Sequence, residues 1–250
     1  MSSHDSLKDK KSITEPLVLL FGLIETNNWL ALENSFLVEP NRRKLFKYLA
    51  GLVAASSRFS NMTILHAVCR FRPPASLVRS IVELCPDAPS SKDSIHRTPL
   101  HVAAGTGATQ SVIEVLVRAF PMACTMPDQD GRLPLHMACD SSCRLFEDES
   151  EGQQRNKPCY GVVSVLLSAS PSSALLEDAD GVCPTEYALL SDSDIETLYL
   201  IQRAARKVLR IKARLDSDRC KQASIVQNDS TSNTTTDVFS SRALMGALPS

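Results

Sequence analysis

A step of 35 residues runs through the middle of this chain, and no other feature restricts its fold as severely. His66, His101 and His136 are spaced by that step. They lie inside Thr63-Ile64-Leu65-His66-Ala67, Thr98-Pro99-Leu100-His101-Val102-Ala103 and Leu133-Pro134-Leu135-His136-Met137-Ala138. Pro86 and Pro121 keep the same step, as do Asp93 and Asp128. The step then lengthens to 50 for Pro121 to Pro171, Asp128 to Asp178 and Gly131 to Gly181. One shift of 15 shared by three columns places a single insertion, at 141–157. A period of this size implies small supersecondary units that cannot bury an apolar face alone and must stack to do so.

Each unit reads as a pair of helices. Thr98 suits the cap and Pro99 the first helical position, where a missing N–H costs nothing. The small residues Cys69, Ala104 and Cys139 share one column and allow close helix approach. The second helix carries apolar positions three and four apart, as in Leu77-Val78 with Ile81, Val112-Ile113 with Leu116, and Val162-Val163 with Leu166. Pro86, Pro121 and Pro171 stop it. His96 stands where Gly131 and Gly181 occur in the other units, at a turn position that favours positive φ. The insertion is polar and acidic, with Glu147, Asp148, Glu149 and Glu151, and reads as a surface loop whose loss leaves the fold unchanged.

The flanks differ from the repeats. Residues 1–14 and 216–250 are polar and read as disordered. Residues 15–58 read as a divergent helical cap: a pair at 16–25 and 28–38 with Trp29 on its apolar side, then an amphipathic helix at 41–55 whose Leu45, Tyr48, Leu49 and Leu52 share a face. A long helix at 194–215 presents Ile195, Leu198, Ile201, Ala205, Val208 and Ile211 as a stripe against the last unit.

Composition excludes several functions. With 27 basic and 28 acidic residues the net charge is −1, so there is no general electrostatic case for nucleic acid. The longest apolar run, 17–24, is far shorter than the about 20 residues that cross a bilayer. It follows Lys8, Lys10 and Lys11 as a secretory signal would, but Glu25-Thr26-Asn27-Asn28-Trp29 gives no small-residue cleavage site. Eight cysteines without a C-x-x-C pair read as reduced thiols of an intracellular protein, cytoplasmic or nuclear. No phosphate-loop, dinucleotide, zinc-protease or serine-hydrolase signature occurs. His136, Cys139, Cys143 and Cys159 raise a zinc site, but His136 and Cys139 already belong to structural columns. The periodicity makes all three histidines structural, each imidazole bonded to its own or a neighbouring unit's turn.

The residues Thr98-Pro99-Leu100-His101-Val102-Ala103, the unit length, and Asp128-Gln129-Asp130-Gly131-Arg132 ahead of the next unit together resemble the ankyrin repeat family. The resemblance covers 59–201, as units at 59–93, 94–128, 129–178 and 179–201. Ile64 replaces the proline in the first unit and Glu186 the histidine in the fourth. It implies an all-α ankyrin-repeat solenoid of stacked helix-turn-helix units, with an N-terminal helical cap and a long C-terminal capping helix. It also implies a non-catalytic adaptor or scaffold that binds a protein partner without a cofactor. Contact positions in that family flank the turn and end the first helix, which points to Arg70, Phe71, Ile95, Arg97, Gln129, Asp130, Arg132 and Asp140. Arg97 and Arg132 share a column on the projecting turns, and Arg70 extends their line, which suits an acidic or aromatic partner segment. Arginines on a solvated face are the plain alternative.

Two other readings stay open. Ile201, Gln202 and Arg206 resemble the start of a calmodulin-binding I-Q motif, although Lys207 replaces its glycine and Arg210 comes one place early. The basic helix around them suits calmodulin or an acidic membrane surface. The third reading is an enzyme with an unfamiliar site, which requires a polar pocket with perturbed titrating groups.

Overall fold

In the computed structural model, residues 3–56, 60–146 and 157–232 are described. The described residues are all helical apart from turns and connections, with no strand. Two compact units result, 1–205 and 206–250.

The first unit begins with α1 (Ser3–Glu25), a turn at Asn27, and α2 (Trp29–Leu32), which runs on into a π-helical turn (Glu33–Leu37). Asn28 caps α2 by accepting from the Ala31 N–H. Helix α3 (Pro40–Ala54) follows, with proline at its first position. Its buried face is Phe46, Leu49 and Val53. The face expected from the sequence is therefore rotated: Tyr48 is 53% exposed, and only Leu49 belongs to both sets. The stripe beginning at Phe46 wins because its ring packs beside Phe36 of the preceding turn, with centroids 6.3 Å apart. Helix α1 also starts earlier than expected, taking in residues 3–14. Those residues contain no glycine or proline before Pro16, so nothing local breaks the helix.

Four helix pairs or part-pairs come next. They are α4 (Ile64–Arg70) with α5 (Ala75–Leu84), α6 (Pro99–Gly105) with α7 (Gln110–Ala119), α8 (Pro134–Cys139) with α9 (Tyr160–Ala169), and α10 (Pro184–Leu190). The first helices pack in sequence, α4 on α6, α6 on α8, and α8 on α10. The second helices do the same, α5 on α7 and α7 on α9. The core lies between these two layers. Leu65, Leu100 and Leu135 are each 1% exposed, and Cys69 and Cys139 are fully buried in the small-residue column where the first helices meet. Each such leucine stabilises the fold by roughly 1.5–3 kcal/mol relative to leaving it in water. The prolines act as expected: α7 and α9 end just before Pro121 and Pro171, which open short 3₁₀ turns.

Helix α11 (Ile195–Ser232) starts in the first unit and continues as the described part of the second. Thr197 and Ile201 are fully buried, whereas Ile195, expected in the buried stripe, is 84% exposed because it stands at the helix start. The helix also runs past 215, where disorder was expected. Residues 195–232 contain neither glycine nor proline. The remainder of that expectation, 233–250, lies outside the described residues, as does 147–156 of the insertion.

Candidate functional site

The turns between units are built on one repeated device. In the first, Asp93 Oδ1 accepts from the N–H groups of Ile95 and Arg97 at 3.1 and 2.8 Å. Asp128 Oδ1 does the same for Asp130 and Arg132, and Asp178 Oδ1 for Asp180 and Val182. Each turn needs one residue at positive φ, and these are His96 (65°), Gly131 (75°) and Gly181 (77°). Successive turns are then tied by backbone bonds: Ser94 donates to the Ser60 carbonyl, Gln129 to that of Ile95, and Ala179 to that of Asp130.

The histidines sit behind these turns. The Thr63, Thr98 and Leu133 N–H groups donate to Nδ1 of His66, His101 and His136. A backbone N–H can only donate, so the ring proton is on Nε2. It is given to a carbonyl further along the chain: Arg97 at 3.0 Å and Arg132 at 3.2 Å, each in the following unit, and for His136 that of Leu176 at 3.0 Å, near the end of its own unit. Burial pushes His66 and His101 down to about 4, and His136 down as well. In the fourth unit Glu186 takes over the capping, accepting from the Cys183 N–H at 2.8 Å. Both nitrogens of all three rings are thus committed to the backbone.

The eight residues expected to contact a partner fall into three groups. Ile95, Gln129 and Asp130 lie exposed on the turns. Arg132 and Asp140 are joined by an ion pair of 3.0 Å. Asp140 is only 7% exposed. The Arg132 guanidinium also donates to the Tyr187 hydroxyl at 2.6 Å and lies 3.7 Å from Asp178, while Tyr187 in turn donates to Asp178. Arg70, Phe71 and Arg97 form the third group. Arg97 is not on a projecting surface, as the sequence suggested; it is 6% exposed. Its Nε pairs with Asp93 at 2.8 Å, its Nη1 donates to the Leu145 carbonyl at 2.8 Å, and its guanidinium lies 5.0 Å from the Phe146 ring centre. Arg70 approaches the same ring to 4.0 Å and the Phe71 ring to 5.3 Å.

What buries Arg97 is the insertion. Its described start is not an idle loop. Ser142 donates through N–H and hydroxyl to Asp140 Oδ1, and the Ser141 N–H donates to Ser191. Cys143 lies 3.3 Å from the Met137 sulfur and 3.8 Å from Arg132. Leu145 is buried over Gly105, where a Cβ would stand 2.7 Å from its Cδ1. At the far end Lys157 pairs with Asp192. The insertion's start packs because it carries Leu145 and Phe146, an aliphatic–aromatic pair that the polar remainder of the segment hid from a reading by composition.

Among the described residues no three His, Cys, Asp or Glu side chains are placed to hold a metal ion. His136 spends both nitrogens on backbone groups, and burial pushes the Cys139 thiol up to about 12. A groove of about 370 Å³ between α7 and α9 is lined by Glu114, Arg118, Ser164 and Ser168 with the apolar Val117, Val165 and Ala169, and by none of the repeated histidines. No described helix is long and apolar enough to cross a membrane. Cys69, Cys85, Cys124, Cys139, Cys143, Cys159 and Cys183 are free thiols.

The chain matches no protein-family model, and no curated protein matches it significantly.

Proposed function

We propose that this protein is a non-catalytic protein-binding module of the ankyrin type, an adaptor or scaffold whose stacked helix pairs form a solenoid. One observation carries the reading most of the way. The Asp-to-turn bonds recur in register with the 35- and 50-residue steps, and each of the three repeated histidines spends Nε2 on a carbonyl further along the chain. A chain so committed to repeating itself offers function through its surface, where turns and first helices form an extended face. The exposed Ile95, Gln129 and Asp130 are the turn residues on that face.

The test is capture by the full chain, compared with an Ile95→Asp/Gln129→Ala/Asp130→Ala variant. A specific partner retained by the first and lost by the second, with both melting alike, supports the reading. Partner retention unaffected by the turn changes moves the contact elsewhere.

The calmodulin reading has less behind it. Arg203, Arg206, Lys207 and Arg210 are exposed on α11, but Ile201, the first residue of the I-Q-like segment, is fully buried. Calmodulin would have to withdraw that side chain from the core. Calcium-dependent retention on a calmodulin column would revive this alternative.

A further inference from the structure

The start of the insertion sits on the repeats the way a bound peptide would. Three contacts hold it, and each is of a kind that recognises an extended segment. Arg97 Nη1 donates to a main-chain carbonyl, that of Leu145, at 2.8 Å. The Leu145 side chain fills a seat that exists because Gly105 has no Cβ. Two guanidiniums approach the Phe146 ring, Arg70 at 4.0 Å and Arg97 at 5.0 Å from its centre. A cation over an aromatic face contributes about 0.5–2 kcal/mol, more as water is excluded. In sequence, Phe146 is followed at once by Glu147, Asp148, Glu149 and Glu151. The seat therefore takes a leucine and then an aromatic residue, next to a pair of arginines from two successive units, in a sequence that continues with acidic residues.

We infer that the Arg70–Arg97–Gly105 surface is a docking site for a partner segment of that chemistry, and that Leu145 and Phe146 occupy it in cis. The inference rests on the protein-binding reading above and adds its regulation: a partner binds by displacing the chain's own segment. The fraction of molecules with the seat open scales the apparent affinity.

A fluorescein-labelled peptide spanning 142–151, kept reduced, is the probe, read by anisotropy against the full chain. Leu145→Ser/Phe146→Ser should bind it at least tenfold more tightly than the unchanged protein. Adding Arg70→Ala should remove that gain. Phe146→Ala alone, the milder change, should give an intermediate gain and serves if the double variant does not fold. Equal, tight binding by the unchanged protein and the opened variant overturns occupation in cis and leaves the docking reading standing. No binding by an opened variant that keeps its melting transition overturns the docking site, while the turn-residue capture experiment judges the broader reading separately. Loss of cooperative melting in both variants also overturns the inference, since the segment would then be part of the folding unit.

Discussion

Acid should loosen this fold well above the pH at which carboxylates are usually protonated, and the buried histidines set the size of the effect. His66 and His101 are neutral in the folded chain, pushed by burial from the ordinary 6.5 to about 4. Over that interval each pH unit is worth about 1.4 kcal/mol, so the fold favours each neutral ring by roughly 3 kcal/mol. Between pH 6.5 and 4 the unfolded chain binds more protons than the folded one. The stabilisation is therefore complete above 6.5, falls as pH drops through that window, and is lost near 4. By pH 5 roughly 2 kcal/mol has gone from each ring, or about 4 kcal/mol for the two, with His136 acting in the same direction. That is a large part of the roughly 5–15 kcal/mol that holds a typical domain. Asp178 does not confuse the measurement. Burial pushes its carboxyl up, but bonds from the Tyr187 hydroxyl and the Val182 and Asp180 N–H groups more than offset this and hold it below the ordinary value, so its contribution is lost only in stronger acid. Urea melts at pH 7 and pH 5 measure the loss. His101→Gln isolates one ring, because glutamine keeps an acceptor for the Thr98 N–H much as Glu186 does for Cys183. It should cost about 1 kcal/mol at pH 7, for the bond to Arg132, and cut the pH 7 to pH 5 loss by roughly 2 kcal/mol. An unchanged pH dependence in His101→Gln would refute the assignment of that loss to the buried ring.

Leu100→Ala should destabilise by about 2–5 kcal/mol in denaturant melts, since the side chain is 1% exposed in the packed layer. Arg97→Ala, which a surface position would tolerate, should instead cost about 3 kcal/mol or more, because it leaves Asp93 buried without its partner. His96→Gly should raise stability by about 1 kcal/mol, relieving a side chain held at φ 65°, and a melting temperature that falls would show that the ring packs usefully. Alkylation of the native protein should modify exposed Cys159 first and leave Cys69 and Cys139 untouched until unfolding, since burial pushes both thiols up to about 12; mass spectrometry of timed samples reads the order.

The helix pairs, their proline stops and the structural part played by His66, His101 and His136 were legible because they recur. A column repeated at one step separates a packing requirement from an accident of composition. What recurs once only was hidden. Leu145 and Phe146 sit in a segment that no other unit has, so periodicity was silent about them, and their polar neighbours suggested a loop. The burial of Arg97 followed from that miss, although Asp93 four residues earlier was a visible partner. The face of α3 failed for another reason. Two overlapping stripes share Leu49, and only the position of Phe36 on the preceding turn decides between them.

The histidine bonds all point one way along the chain. Nε2 of His66 reaches a carbonyl 31 residues later, that of His101 also 31, and that of His136 40. The first two units are thus closed by a unit not yet made when their own helices leave the ribosome, whereas His136 finds Leu176 near the end of its own. During synthesis, then, each of these two helix pairs carries a buried-type donor awaiting its acceptor until the next turn arrives. The two ends of the array are unequal in the same sense. Trimming repeats from the N-terminal side leaves only a carbonyl that water can satisfy, whereas a C-terminal cut that removes Arg97 or Arg132 strands the buried imidazole N–H of His66 or His101. The array has a direction built into its hydrogen bonds, and shortening it from the C-terminal side is the costlier cut.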